Sequence, residues 1–342
     1  MVARMPEERQ RVAGLLDAAL QRVSQGEAEA LHTARDLALT RFANSRIHQN
    51  VAQHDATLRV RLVAEDRTGV ASTNRLDPDG IEEVVARAEA IRRLAQPNPE
   101  QAILPEPGGG HDETVGYVPA TAAAGAELRA AGAQAVVAAG TTAGLEVSGA
   151  FSTEATTVAV ANTRGLRAAH TTSQAKLVTV MMGDNGASGY AQAAASDVAA
   201  IDATAVGEEA AEKAVRSAGA GDLEPGEYQV LLEEYAVATI LEYLSFDGFS
   251  ALALQEGRSF MELGEKVMGE NVSIWDDGQD PLGLPAAIDF EGVSKQRVEL
   301  ITDGVARGVV HDSVTARRAG TRSTGHALPR PNAFGPLAWN LF

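Results

Sequence analysis

Two adjacent carboxylates, Glu233 and Glu234, stand where an apolar run at residues 228–232 gives way to a helical pattern. Carboxylate oxygens are hard ligands for metal ions, and a carboxyl group can also act as a general acid or base. The junction therefore has residue types that could serve a metal or acid-base site. No histidine accompanies them in this stretch, and the interpretation of the site depends on what that absence means.

Two further acidic clusters offer the same chemistry, namely Asp276 with Asp277 and Asp289 with Glu291. Spacing along the chain does not show that any two of the three clusters meet in space. In a chain with a formal net charge of −17, most carboxylates are expected to face water. We therefore expect solvated turn carboxylates in these clusters, with a site built from them as the alternative.

Histidines are scattered along the chain, and no two of them stand three or four residues apart. A zinc site needs three protein ligands, and the chain has no cysteine to supply a thiolate. We expect each histidine to be an ordinary surface or core residue. The seven are His32, His48, His54, His111, His170, His311 and His326.

Several other classes of protein are disfavoured. The sequence contains neither a phosphate-binding G-x-x-x-x-G-K-[ST] loop, nor G-x-G-x-x-G, nor a G-x-S-x-G nucleophile motif. The strongly negative charge disfavours binding to nucleic-acid phosphates and to anionic membrane surfaces. We also expect no transmembrane helix, because no long apolar window is without charge, and no signal peptide at the charged N-terminus.

The elements that must position the candidate residues follow an α+β pattern. In residues 1–100 we predict a helix, strands and a second helix, for which Asp77 or Asp79 could be the N-cap. The predicted strand runs are 28–44, 45–53, 57–65 and 70–74, with a turn at 66–69.

A connector rich in proline and glycine occupies residues 101–120, and residues 121–218 repeat the order helix, strands, helix. Residues 227–342 are predicted to form a strand-rich C-terminal domain. The predicted architecture is therefore two helix-flanked antiparallel or mixed sheet segments followed by that domain.

The junction itself is predicted to be a strand at residues 228–232 leading into a helix from about Glu233. Within that helix, Val237, Ala238, Leu241 and Leu244 lie at i, i+1, i+4 and i+7. This spacing is typical of the buried stripe of an amphipathic helix. We therefore expect the stripe to hold the helix against the rest of the molecule.

An ordered set of short blocks resembles the TldD/TldE family, whose TldE members are also called PmbA. In the N-terminal part the blocks lie at residues 41–50 and 68–74. In the C-terminal third they lie at residues 257–260, 263–267, 272–277, 288–293, 297–305 and 319–326. Each block alone is weak, whereas the set in this order spans most of the chain.

The resemblance implies a cytoplasmic, two-subunit peptidase that cuts unfolded or extended peptides. In that family the TldD-like subunit binds a metal, expected to be zinc, through an H-E-x-x-x-H helix. The three motif positions fall here on Glu233, Glu234 and Ala238. Because both histidine positions hold other residues, the chain resembles the non-catalytic TldE/PmbA-like subunit. It is expected to bind no metal or other cofactor itself, and to be active only with a TldD-like partner.

The resemblance also points to Asp247, Arg258, Ser259 and Phe260 as candidate contacts to peptide or partner. The family extends beyond the C-terminus of this chain, so the last domain is expected to be incomplete. One alternative is a self-sufficient peptidase that uses carboxylate ligands such as Glu233, Glu234 and Asp247. The other is a non-enzymatic binding or scaffold protein, which could be a homodimer.

Overall fold

A computed structural model describes residues 5–101, 103–108, 110 and 115–342. The predicted connector at residues 101–120 lies partly outside the described residues, and His111 lies outside them entirely. The fold class is confirmed as α+β with antiparallel sheets.

Two successive stretches of chain each supply helices and three strands. The first consists of α1 (Met5–Gln21), β1 (Glu27–Ala43), β2 (Arg46–Ala64), β3 (Arg67–Thr73) and α2 (Pro78–Leu94). The second consists of α3 (Pro119–Ala122), α4 (Ala126–Thr142), β4 (Glu146–Asn162), β5 (Arg167–Met182), β6 (Ser188–Ala195) and α5 (Ala203–Ser217). Both stretches therefore have the order helix, three strands, helix that the sequence predicts.

The six strands form one sheet in the order β3-β2-β1-β4-β5-β6, with every neighbouring pair antiparallel. The two segments meet where β1 pairs with β4 along most of its length, from Glu29 opposite Asn162 to Phe42 opposite Gly149. The predicted runs at 45–53 and 57–65 are a single strand, β2. Its hairpin to β3 turns at Glu65 and Asp66, which both have positive φ, as a tight two-residue turn requires.

A glycine on each edge strand lets a helix lie directly on the sheet. A Cβ at Gly69 of β3 would collide with the Ala88 carbonyl of α2, and one at Gly189 of β6 would collide with the Ala210 carbonyl of α5. A residue with a side chain at either position would push its helix away. At both edges of the sheet, a glycine therefore allows close packing of a helix, and this supports the repeat inferred from the order of elements.

The two faces of the sheet have different coverings. Alternate strand residues such as Leu58, Val60 and Ala161 pack against α1 and α2, and Phe151 and Leu177 pack against α4 and α5. Residues of opposite parity face the C-terminal part of the chain; these are Leu31, Val158 and Val160, which pack against Ala287 and Ile288. The central strands are therefore buried on both faces.

The C-terminal part contains α6 (Glu234–Asp247), α7 (Ala251–Gln255), β7 (Ile274–Asp276), β8 (Val298–Thr302), β9 (Val305–Ala306) and α8 (Ser313–Ala319). Its three strands are short and form a second sheet in the order β7-β8-β9. The last residues dock on β7: the backbones of Trp275 and Phe342 exchange two hydrogen bonds of 3.1 and 2.9 Å, and their rings stack 6.0 Å apart. Much of this region is held by turns and loops.

Two expectations about the junction are wrong. Residues 228–232 form no strand and are exposed, because no neighbouring strand lies beside them to accept their backbone groups. Val237 and Ala238 are exposed, and only Leu241 and Leu244 of the expected stripe pack, on the C-terminal core. The helix exists, but its first half is not covered. Across the described ranges, no helix is both long and apolar enough to cross a membrane.

Candidate functional site

The first turn of α6 lies against α5 and β6 through charged and aromatic side chains. Glu233 is the N-cap residue, and its Oε2 lies 2.7 Å from Nζ of Lys213, which also binds Glu209 at 2.7 Å. The ammonium group of Lys213 lies 4.6 Å from the centre of the Tyr235 ring. Although partial burial opposes the charge of Lys213, these carboxylates raise its pKa. Glu233 is thus engaged as an ion-pair partner on the surface.

The positions that correspond to the H-E-x-x-x-H motif do not fit a zinc ion. Ala238 is exposed and has no ligand atom, Glu233 is paired with Lys213, and Glu234 is exposed in the first helical turn. A zinc ion requires at least three protein ligands. Within the part of the chain that the structure describes, no group of three or more histidine, aspartate or glutamate residues is placed to hold a metal.

The alternative ligand set of Glu233, Glu234 and Asp247 is wrong as a cluster. Asp247 is the last residue of α6 and Glu234 the first. At about 1.5 Å of rise per residue, the two ends of this helix are separated by roughly 20 Å. One metal ion cannot contact carboxylates that far apart.

The predicted contact residues Asp247, Arg258, Ser259 and Phe260 do come together, at the C-terminal end of α6. Arg258 binds Asp247 at 3.0 Å, and the hydroxyl of Ser259 donates to the Gly248 carbonyl at 2.6 Å. The ring of Phe260 packs edge-on against Phe249, with ring centres 6.0 Å apart, and stays partly exposed. These contacts hold a turn together. That the cluster binds peptide or partner stays a prediction.

The expectation of solvated carboxylates is wrong for Asp276, Asp289 and Glu291, which are all buried. The sequence carries a signal of this burial, since Asp276 follows Ile274 and Trp275, while Asp289 lies between Ile288 and Phe290. A turn carboxylate in water rarely has such neighbours.

Glu291 joins the sheet to the C-terminal part through a buried ion network. Arg61 of β2 donates to Glu29 of β1 at 2.8 Å and lies 3.5 Å from Glu291, and Arg330 lies 3.5 Å from Glu291 and 2.7 Å from Asp312. Burial opposes ionisation of Glu291, but Arg61 and Arg330 lower its pKa. Burial is the largest cause of the raised pKa of Glu29. Sequence alone could not pair these residues, because Arg61 and Glu291 are distant along the chain.

Asp276 and His326 form a second buried pair, with Nε2 of His326 2.7 Å from Oδ1 of Asp276. The other oxygen of Asp276 accepts the backbone N–H groups of Trp339 and Asn340 at 2.6 and 2.8 Å. Burial and the charge of Lys295 lower the pKa of His326 despite the opposing effect of Asp276. The lowered pKa favours the neutral imidazole beside Asp276, and this carboxylate also anchors the last residues. The role of His326 departs from the scattered surface or core residue that we expected.

Asp289 has an unusual protonation state. Burial first, and the negative charge of Glu291 second, raise its pKa to about 7, although the backbone N–H groups of Ala327, Val293 and Glu291 partly offset this. The three N–H groups donate at 2.9 Å each. Asp289 therefore changes charge near neutral pH.

The described residues form a helix-flanked antiparallel sheet with a C-terminal part packed on its open face, and Glu233, Glu234 and Ala238 do not provide the three ligands that zinc needs. Comparison with protein families identifies the class of protein. Three family descriptions match the chain: PmbA/TldA metallopeptidase domain 1 over residues 28–92, the central domain over 114–218 and the C-terminal domain over 225–341. The chain therefore belongs to the PmbA/TldA metallopeptidase family.

Solved structures show the same fold. TldE from Thermococcus kodakarensis is 21% identical, with a TM-score of 0.82 over 97% of this chain and 77% of that chain. A proposed modulator of a DNA gyrase from Thermotoga maritima is 20% identical, with a TM-score of 0.82 over 96% and 76% of the two chains.

An uncharacterized protein of Methanocaldococcus jannaschii is 35% identical over 101 residues, which are 29% of this chain and 24% of that relative.

Proposed function

We propose that this chain is a non-catalytic, TldE/PmbA-like subunit of a TldD/TldE-type metallopeptidase that acts on unfolded or extended peptides. A TldD-like partner would supply the zinc ion and the catalytic groups, and the two subunits together would enclose the substrate. A cytoplasmic location belongs to the same proposal. The observation that carries it is the pairing of Glu233 with Lys213 beside Ala238, at positions where a catalytic member of the family would hold its metal.

An uncovered apolar surface supports the proposed association. We call residues 222–243 the exposed segment, because most of its apolar side chains face water: Leu231 is 96% exposed, Val230 71% and Tyr243 69%. Contiguous apolar surface of this kind commonly marks a protein–protein contact. The exposed segment includes the degenerate motif positions, so a partner bound here would lie beside them.

A reconstitution experiment tests the proposed role. The purified chain, a histidine-containing TldD-type relative and their mixture would be assayed for cleavage of an unfolded protein, with and without a chelator. We expect no cleavage by the chain alone, and chelator-sensitive cleavage by the mixture that exceeds that of the relative alone. Chelator-sensitive cleavage by the chain alone would contradict the proposal and favour a self-sufficient enzyme.

The contact surface can be tested in the same system. Leu231→Asp places a charge in the exposed segment and is expected to weaken co-elution with the partner at least tenfold, equivalent to about 1.4 kcal/mol. Leu282→Asp is the matched control, because Leu282 is also exposed but lies outside the segment. Equal co-elution of both variants would show that the exposed segment is not the contact. A stable homodimer unaffected by the partner would instead favour the scaffold alternative.

A further inference from the structure

A cavity of about 200 Å³ lies between the large sheet and the C-terminal part, away from the exposed segment. One wall is polar and comes from β4 and β5, with Thr156 and Thr172 facing each other across paired strands. The other wall is mainly apolar and comes from the C-terminal part; it includes Leu284, Ile288, Phe290, Leu337 and Trp339. The cavity thus has the mixed lining of a small-molecule site, apolar with a few directed polar groups.

Among the described residues that line this cavity, Lys295 is the one lysine, and no arginine accompanies it. Lys295 is only 7% exposed. Among the described residues, its ammonium group forms no hydrogen bond and no ion pair. Burying an unpaired ammonium group is costly, so such groups are rare unless something pairs with them. Burial lowers the pKa of Lys295, although Asp276 and Asp289 partly oppose this effect.

The nearby carboxylates are already occupied by other partners. Asp276 accepts hydrogen bonds from His326 and from two backbone N–H groups, and Asp289 accepts from three backbone N–H groups. Neither carboxylate forms an ion pair with the ammonium group within 4.0 Å, whereas Asp276 and His326 are only 2.7 Å apart. Lys295 is therefore left to interact with whatever enters the cavity.

The backbone around Lys295 is built to hold its side chain in place. A Cβ at Gly278 would collide with the side-chain stem of Lys295, and a Cβ at Gly325 would lie 2.7 Å from its Cα. The Lys295 N–H donates to the Ala287 carbonyl at 3.0 Å, and its carbonyl accepts from the Gln279 side chain at 3.0 Å. Two glycines and two hydrogen bonds therefore fix the backbone and the side-chain stem of Lys295 at the wall of the cavity.

We propose that this cavity binds a small organic monocarboxylate with an apolar body, whose carboxylate pairs with the ammonium group of Lys295. The apolar wall at Leu284, Ile288 and Leu337 would contact the body of the ligand. A carboxylate is the complement of a single buried ammonium group, and a pairing of this kind is strengthened by exclusion of water. The site is separate from the degenerate metal motif and does not depend on the proposed peptidase partner.

Calorimetric titration with 4-methylpentanoate tests the site, with 4-methylpentanamide as the uncharged analogue of the same shape. We expect saturable binding of the carboxylate to the unaltered chain and at least tenfold weaker binding of the amide. Lys295→Met should weaken binding of the carboxylate at least tenfold. Lys266→Met, which removes an exposed lysine of the same C-terminal part, should leave it unchanged. Equal binding of acid and amide, or equal binding by Lys295→Met, would overturn the proposal.

A second variant and a second readout keep the test decisive. Thr172→Phe leaves Lys295 in place but fills the cavity from the sheet side, so it should also lose binding of 4-methylpentanoate. The carboxylate should raise the melting temperature of the unaltered chain and of Lys266→Met, and leave that of Thr172→Phe unchanged. Lys295→Met should melt at a higher temperature than the unaltered chain without ligand, because an unpaired buried charge is removed. Absence of any saturable binding to the unaltered chain would also overturn the proposal.

Discussion

The exposed segment at residues 222–243 and the interface between the large sheet and the C-terminal part treat charge in opposite ways. In the exposed segment, Glu233 pairs with Lys213 of α5, while apolar side chains such as Leu231 face water. In the interface, Arg61, Glu29 and Glu291 are buried and pair with one another. The residues that most resemble a catalytic motif therefore lie where water solvates their charges. The charges that are buried and held by several partners lie in the interface.

This difference has a physical basis in the surroundings of each charge. A solvated ion pair contributes little to stability, because water already stabilises both charges. Removal of one partner from a buried pair leaves the other charge desolvated and unpaired, which is strongly destabilising. Replacing a charged residue by a neutral one should therefore lower the free energy of unfolding by very different amounts in the two regions.

The largest effect is expected for Arg61→Met. The change leaves Glu29 and Glu291 without their shared cation, so the free energy of unfolding should fall by about 3–5 kcal/mol. Denaturation by urea, followed by circular dichroism, measures the change. Arg35→Met on the neighbouring strand is the matched control: its ion pair with Glu154 is partly exposed, and its loss should cost at most about 1 kcal/mol. Similar losses of stability for both variants would mean that Arg61 is not the buried cation shared by Glu29 and Glu291.

A smaller, pH-dependent effect is expected for Asp289→Asn. The folded-state pKa of Asp289 is raised from 3.8 to about 7, so its contribution to stability is fully present below about pH 4 and is lost as the pH rises through 7. The asparagine variant cannot lose this contribution. Its stability deficit relative to the unaltered chain should therefore shrink by about 2.5–3 kcal/mol between pH 5 and pH 8, since the range from pH 5 to 7 spans two pKa units worth about 1.4 kcal/mol each.

Urea denaturation at both pH values measures this difference between the two proteins. Titration of other groups, including His326, is common to both proteins and largely cancels in the comparison. Asp280→Asn provides a control, because Asp280 accepts a backbone hydrogen bond in an exposed turn. A deficit for Asp289→Asn that stays constant with pH would contradict the assigned protonation behaviour.

The smallest effect is expected for Glu233→Ala, in the exposed segment. Lys213 keeps its bond to Glu209, so the loss should be at most about 1 kcal/mol in the free energy of unfolding. Metal analysis of the purified chain with and without this substitution sharpens the result. We expect no stoichiometric metal in either protein. Stoichiometric zinc in the unaltered chain that is absent from the variant would instead identify Glu233 as a ligand. The exposed segment would then contain a metal site rather than a solvated ion pair.

Local patterns predicted many elements of the fold well. The alternation at residues 57–65 predicted a strand with one apolar face, and Asp77 is the N-cap of α2, where its side chain accepts from the Gly80 N–H at 2.8 Å. The repeated order of helix, strands and helix was also visible. These features depend on neighbours a few residues apart, which the sequence contains directly.

The candidate site was predicted less well. The positions Glu233, Glu234 and Ala238 and the grouping of Asp247 with Arg258 were accessible from the sequence, because they depend on motif alignment or on short separations. The exposed state of residues 228–232 was not, because an apolar run shows what a surface could bury and not whether another element covers it. The burial of Asp289 was missed because charge alone was taken to indicate contact with water.

The sequence by itself determined the family and most of the helices and strands around the large sheet, since these follow from residue identity and local periodicity. Only the tertiary structure decided which charges are buried together. Arg61 and Glu291 meet because β1 pairs with β4 and the C-terminal part then covers the open face of the sheet. The position of Lys295 at a cavity has the same origin, because a cavity is the space left between elements that are distant along the chain.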